Sequence, residues 1–149
     1  MAIDSPQIGY LLKHAQSLLH ARMEEALRPL GLTVSHYSCL HHLRLEPGIS
    51  SSALARRTFV TRQSMNVMLQ QLIDRGLVSR ADRADSGRAL PAALTRDGIA
   101  ALDAAERLVD GVEQRMLSGL TPAQSAALGR GLAASVAALA VSGMPPAST

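Results

Sequence analysis

The sequence predicts a mainly α-helical chain carrying one small β-hairpin, and three observations predict it. Apolar residues recur at helical spacing through long stretches at both ends of the chain. Between those stretches lie three short segments, each opened by a serine or threonine placed to cap a helix. A charged, turn-forming ribbon, "SRADRADSGR" at 79–88, then separates two short runs suited to paired strands. At 149 residues the chain can form one domain or two small units and bury a real core.

The elements follow in order. Ile8, Leu11, Leu12, Ala15, Leu18, Leu19, Met23, Ala26, Leu27 and Leu30 form one helical stripe, and Gly31 is placed to end it. Thr33 caps a second helix with Tyr37, Leu40 and Leu43 on one side, stopping before "EPG" at 46–48. Ser50 to Ser52 offer a cap for a short third helix whose Leu54, Ala55 and Phe59 point inward. Thr61 caps a fourth, in which Met65, Met68, Leu69 and Leu72 recur at i, i+3, i+4 and i+7, with Arg75 as its last residue and Gly76 as its stop.

Residues 77–80 and 90–94 are short extended segments around the turn-former "ADSG" at 84–87, and Pro91 restricts the second to an edge strand. A long helix starts at Thr95, carries Ile99, Leu102, Leu108, Val109, Val112, Met116 and Leu117, and ends by Gly119. "LTPAQ" at 120–124 opens the last helix, with Thr121 as cap, Pro122 in the first turn and Gln124 placed for a capping box. That helix reaches about Val141, after which "SGMPPAST" should fray. The flanking helices carry more apolar stripe than one small central domain can cover, so a homodimer is expected.

Composition narrows the function. The chain is 47% hydrophobic and only 2% aromatic, with a net charge of +3. The single cysteine, Cys39, excludes an internal disulfide, and the opening "MAIDSPQIGY" lacks the build of a signal peptide. No window approaches the roughly 18 uninterrupted apolar residues of a membrane span, so a soluble, cytoplasmic protein without membrane partners is expected. From Arg56 to Arg96 eight arginines face three aspartates, a local balance of +5, while the remainder carries −2. Arginine's planar fork suits phosphates and base edges.

Three short helices followed by a hairpin make a winged helix-turn-helix, here with long flanking dimerisation helices; its last short helix lies in a DNA major groove. In "TRQSMNVM" at 61–68 the methionines face inward, leaving Arg62, Gln63, Ser64, Asn66 and Val67 outward. Glutamine and asparagine read adenine, while arginine reads guanine or grips phosphate. The candidate DNA-contacting set is therefore Ser52, Arg56, Arg57, Thr61, Arg62, Gln63, Ser64, Asn66, Val67, Arg80, Arg83 and Arg88, with Asp82, Asp85 and Gly87 shaping the wing turn. Asp85 can aim Arg88 at a narrow minor groove.

"LTVSHYSCLHHL", "SALARRTFVTRQSMNVMLQQLIDRGLVSR" and "ALTRDG" resemble the MarR family of bacterial winged-helix transcriptional regulators. The resemblance runs through residues 8 to 140, and its specific part is Leu72, Gly76, Leu77, Arg80, Asp82, Asp85, Arg88, Leu94, Thr95 and Gly98. It implies a homodimer joined through residues 1–31 and 96–149, with 32–95 as the DNA-binding domain on a near-palindromic duplex site. It also implies repression relieved by a small, often phenolic, effector in a cleft between the dimer helices and the reading domain. Three departures from the family pattern stand out: the wing turn is one residue longer, Val67 replaces a frequent polar residue, and Thr58–Phe59 replaces a common Leu-Gly. The last predicts a differently built turn before the reading helix.

Tyr10, His14, His36 and Tyr37 are the candidates for the effector cleft. Cys39 and the five histidines, at 14, 20, 36, 41 and 42, raise the alternative of a redox- or metal-sensing regulator, or of a sensor working through a protein partner. No histidine pair has the i, i+4 spacing of helical metal ligands, so neither metal nor cofactor is assigned. "GRGLAA" at 129–134 imitates a dinucleotide motif but sits inside a helical pattern with no strand before it. Walker A, H-E-x-x-H and G-x-S-x-G patterns are absent, and no enzyme is expected.

Overall fold

The structure is a computed structural model that describes residues 5–80 and 91–141. Its elements are α1 (Ser5–Leu27), a 3₁₀ turn (Arg28–Leu30), α2 (Val34–Leu45), α3 (Ser51–Arg57), α4 (Arg62–Asp74), β1 (Val78–Arg80), β2 (Ala92–Leu94), α5 (Arg96–Leu117) and α6 (Pro122–Ala140). Two compact units divide the chain, Met1–Val112 and Glu113–Thr149. The expected fraying after Val141 and the turn at 84–87 lie outside the described residues.

Local hydrogen bonds set most helix starts. Thr33, Ser50, Thr61 and Thr121 each accept, through the side chain, from the backbone N–H three residues on. Thr121 completes its capping box with Gln124 as the sequence predicts, whereas Thr33 completes one with the His36 ring, whose Nδ1 accepts from the Thr33 N–H at 3.2 Å. The first helix stops three residues short of Leu30 because Pro29 cannot continue an α-helical ladder; the chain tightens to 3₁₀ and ends on Gly31 at φ +66°.

The core of the first unit gathers Leu27 and Leu32, Leu40 and Leu43 of α2, Leu54 and Ala55 of α3, Met65, Leu69 and Leu72 of α4, Val78 and Ala92 of the strands, and Leu102 and Ala105 of α5. β1 and β2 pair antiparallel with Val78 opposite Leu94, Ser79 opposite Ala93 and Arg80 opposite Ala92. Pro91 falls just before β2, where its missing N–H costs no ladder bond.

One expectation about the core needs correction. Phe59 does not point inward: it is 95% exposed, because its backbone enters the left-handed region at φ +58° and turns the side chain away. The α5 stripe is only partly covered, in keeping with the expectation that the flanking helices carry more apolar surface than the central core takes up. Leu102 is buried, yet Ile99 and Leu108 are exposed, and the other buried positions are the small Gly98 and Ala105, where the helix approaches its neighbours most closely. Along α1, Ile8, Leu11, Leu12 and Leu18 remain exposed, and in the second unit so do Leu132, Val136 and Leu139 of α6. Among the described residues, no helix is long and apolar enough to cross a membrane.

Candidate nucleic-acid interface

The fourth helix separates its two faces cleanly. Met65, Leu69 and Leu72 are buried, while Arg62, Gln63, Ser64, Asn66 and Val67 are exposed on the other side. Thr61 holds the first turn twice: its Oγ1 accepts from the Ser64 N–H at 3.0 Å and donates to Ser64 Oγ at 2.9 Å. The outward row is thus presented by a helix whose start is locked. Gln70 continues that row and was not among the sequence candidates; its amide donates to Asp74 at 2.9 Å, so it is held along the helix. Its i+4 offset from Asn66 is the signal that finds it.

The arginines fall into different environments. Arg56 is exposed at the end of α3. Arg57 forms an ion pair with Glu46 at the α2 C-cap, so part of its charge is already answered. Arg80 is half-buried; its Nη2 donates to Ser51 Oγ at 3.0 Å, and its buried Nε has no partner among the described residues. That contact draws the end of β1 to the start of α3, beside the half-buried Ser52. Asp82, Arg83, Asp85, Gly87 and Arg88 lie outside the described residues.

The turn at Thr58–Phe59 carries a positive φ. Phe59 itself takes the left-handed region that a glycine would occupy at no steric cost. The Val60 N–H donates to Ala55 O at 3.1 Å and Val60 packs on the core, which fixes the turn from its far side.

Behind α4, contacts from Arg75 and Gln71 tie it to earlier elements. Arg75 donates from Nη1 to Gly31 O at 2.7 Å and from Nη2 to Leu30 O at 3.2 Å, and His36 Nε2 lies 3.1 Å from Gln71 Oε1. On the other side of α2, Arg44 pairs with Asp103 at 2.6 Å and with Glu106, and His41 Nδ1 lies 3.3 Å from Glu106. Arg44, through its hydrogen bond, holds the Glu106 carboxyl below its ordinary range against the opposing effect of burial, and His41 adds to this.

Of the effector candidates, Tyr10 lies against His14 along α1, with ring centroids 6.0 Å apart. His36 is engaged at the α2 cap and with Gln71, while Tyr37 stacks on His41 at 5.8 Å. Cys39 is buried with its Sγ 3.9 Å from Met65 Sδ, and burial pushes its thiol up to about 12. A thiol in that state is a poor nucleophile at neutral pH. Among the described residues no three His, Cys, Asp or Glu side chains gather as a metal ion would require. "GRGLAA" lies within α6, so no strand-to-helix phosphate turn exists there.

A helix with an exposed polar, arginine-bearing row beside a two-stranded ribbon can lie along a polyanion and hydrogen-bond its groove edges. Comparison with known proteins agrees with that geometry. The MarR family profile matches residues 30–89. The HTH-type transcriptional repressor Rv2887 of Mycobacterium tuberculosis is 44% identical over 124 residues, covering 83% of this chain and 88% of that protein. The crystal structure of Rv2887, described as a MarR family protein in complex with salicylic acid, superposes with a TM-score of 0.73 at 42% identity, covering 89% of this chain and 97% of that one. Its complex with DNA gives a TM-score of 0.71 at 39% identity, covering 83% and 93%.

Proposed function

The chain belongs to the MarR family, and from that premise we propose that it is a homodimeric, sequence-specific DNA-binding repressor released by a small aromatic ligand. The observation that carries the proposal is the split of α4 into a buried apolar row and an exposed row of Arg62, Gln63, Ser64, Asn66 and Val67, inside the +5 segment. A helix so divided can insert its outer row into a major groove while its inner row keeps it on the core. The repressor name and the DNA complex of Rv2887 support the same reading.

In this reading residues 32–95 contact the duplex, and 1–31 with 96–149 join the two protomers. Arg62, Gln63 and Asn66 reach base edges; Ser52, Arg56, Arg57, Thr61, Ser64 and Arg80 position the backbone; Val67 offers a thymine methyl its apolar surface. Arg83 and Arg88 belong to the wing, with Asp82, Asp85 and Gly87 forming its turn. The exposed apolar stripes of α1 and α6 support burial against a second copy. The salicylic acid and p-aminosalicylic acid complexes of Rv2887 support an aromatic carboxylate or phenol as effector, with Tyr10, His14, His36 and Tyr37 as the residues to test. The protein acts by binding, not by catalysis.

Titrating the dimer on a duplex selected from a random-sequence pool, at several salt concentrations, tests this. Binding should weaken with a log–log slope of roughly −0.9 per neutralised phosphate. Arg62→Ala should weaken it without dissociating the dimer, and salicylate should weaken it in the wild type. A flat salt response, or an unchanged Arg62→Ala, rejects the assignment.

A further inference from the structure

Phe59 is the least explained residue of the fold. It is a large aromatic side chain, 95% exposed, on a backbone at φ +58°, and it is the only non-glycine residue with positive φ among those described. Bulky side chains are strained in that region, and an aromatic ring gains nothing by facing water. Glycine would remove both penalties. The folded protomer therefore does not account for this residue, and its use must be found in what it meets.

Its surroundings say what that is. Phe59 stands two residues before Thr61, the N-cap of α4, so the ring's backbone lies within about 7 Å of chain from the start of that helix. Arg56 and Arg57 precede it, and Arg62 follows. Its N–H donates to Arg56 O at 3.4 Å, and the next residue is anchored on the core, so the turn is held rather than free. A single exposed ring in a segment that carries Arg56, Arg57 and Arg62 is a poor seat for a second copy of this basic segment or for an apolar protein helix. It suits a polyanion that carries small apolar spots.

We infer that Phe59 is a DNA-contacting residue whose ring makes an apolar contact with the duplex beside the inserted end of α4. Duplex DNA offers two such surfaces there, the thymine methyl in the major groove and the deoxyribose carbons of the adjoining strand. The left-handed turn projects the ring ahead of binding, so that little ordering remains to be done on contact. The inference rests on the DNA-binding reading above.

The test uses the full chain, the selected duplex, and Phe59→Gly, Phe59→Ala and Phe59→Leu. Phe59→Gly should melt at a higher temperature than wild type, because strain is relieved, yet bind the duplex about tenfold more weakly per protomer for the lost ring contact. Phe59→Ala, which keeps the Cβ, should lose the same affinity, and Phe59→Leu should recover part of it. Replacing the thymines by deoxyuridine one at a time then assigns the surface: at a methyl that Phe59 touches, wild type loses affinity and Phe59→Ala does not, a position that weakens both proteins alike belongs to Val67, and if no position separates the two proteins the ring meets the sugar. Wild-type affinity in Phe59→Ala overturns the inference, as does a loss that accompanies a changed oligomeric state. If wild type itself binds no duplex, the functional reading fails first, and that failure is distinguishable from this one.

Discussion

A Cβ built on Gly98 would overlap the carbonyl oxygen of Leu77. The first turn of α5 therefore rests directly on the backbone entering β1. Thr95 completes the joint: its N–H donates to Leu77 O at 3.1 Å, its Oγ1 donates to Gly76 O at 2.6 Å and accepts from the Gly98 N–H at 3.0 Å. The Leu-Thr-x-x-Gly spacing is thus a clamp between the end of α4 and the start of the long helix that follows the ribbon.

Gly98→Ala should destabilise the fold. Alanine is worth about 1 kcal/mol more than glycine inside a helix. Overpacking costs about 1 to 3 kcal/mol, and here the obstacle is backbone, which cannot swing aside. The clash should win, and a lower urea midpoint at unchanged slope would show it; a stabilised variant would refute the close approach.

Removing Arg75 should loosen the hold of the α1–α2 junction on α4. Arg75→Ala deletes two hydrogen bonds to the carbonyls of Gly31 and Leu30. Because the guanidinium is exposed, the expected loss is about 1 kcal/mol rather than the larger value of a buried charged bond. Hydrogen exchange at the α4 C-terminus should also quicken. Unaltered exchange there would mean that the contact holds nothing in solution.

Acid should weaken the α2–α5 junction. Arg44 lowers the folded pKa of Glu106 below its unfolded value, so the unfolded chain takes up that proton first as pH falls. The stabilisation is complete above the ordinary carboxylate range and is lost as pH falls through the folded value. Glu106→Gln should flatten the acidic limb of a plot of melting temperature against pH. A limb equally steep in the variant would place the dependence elsewhere.

Cys39 should resist labelling. With its pKa pushed up to about 12 and its sulfur buried, almost no thiolate exists at neutral pH. A soluble disulfide reagent should react only as fast as the chain opens, and fully in denaturant. Prompt labelling of the native protein would revive a redox role for this residue.

Helix starts were legible because their causes are local. A threonine or serine accepts from an N–H three residues away, so Thr33, Ser50, Thr61 and Thr121 act within their own segments wherever the rest of the chain goes. The inner and outer rows of α4 follow equally from helical period, and Met65, Leu69 and Leu72 are buried as the spacing requires. Phe59 shows where local reading fails: hydrophobicity predicts an inward ring, but the path of the chain from α3 to Thr61 demands a left-handed residue and turns it out.

Amino-acid order alone was enough for the class of fold, the sequence of elements and the helix that carries the polar row, since period and capping depend on neighbours within a turn or two. Only the folded chain decided that Arg57 meets Glu46, Arg80 meets Ser51, Arg75 meets the Gly31 carbonyl, and Ala105 rather than Leu108 faces the core. Those pairings join residues far apart along the chain, and which of them meet depends on how closely whole elements approach, a distance that no local pattern encodes.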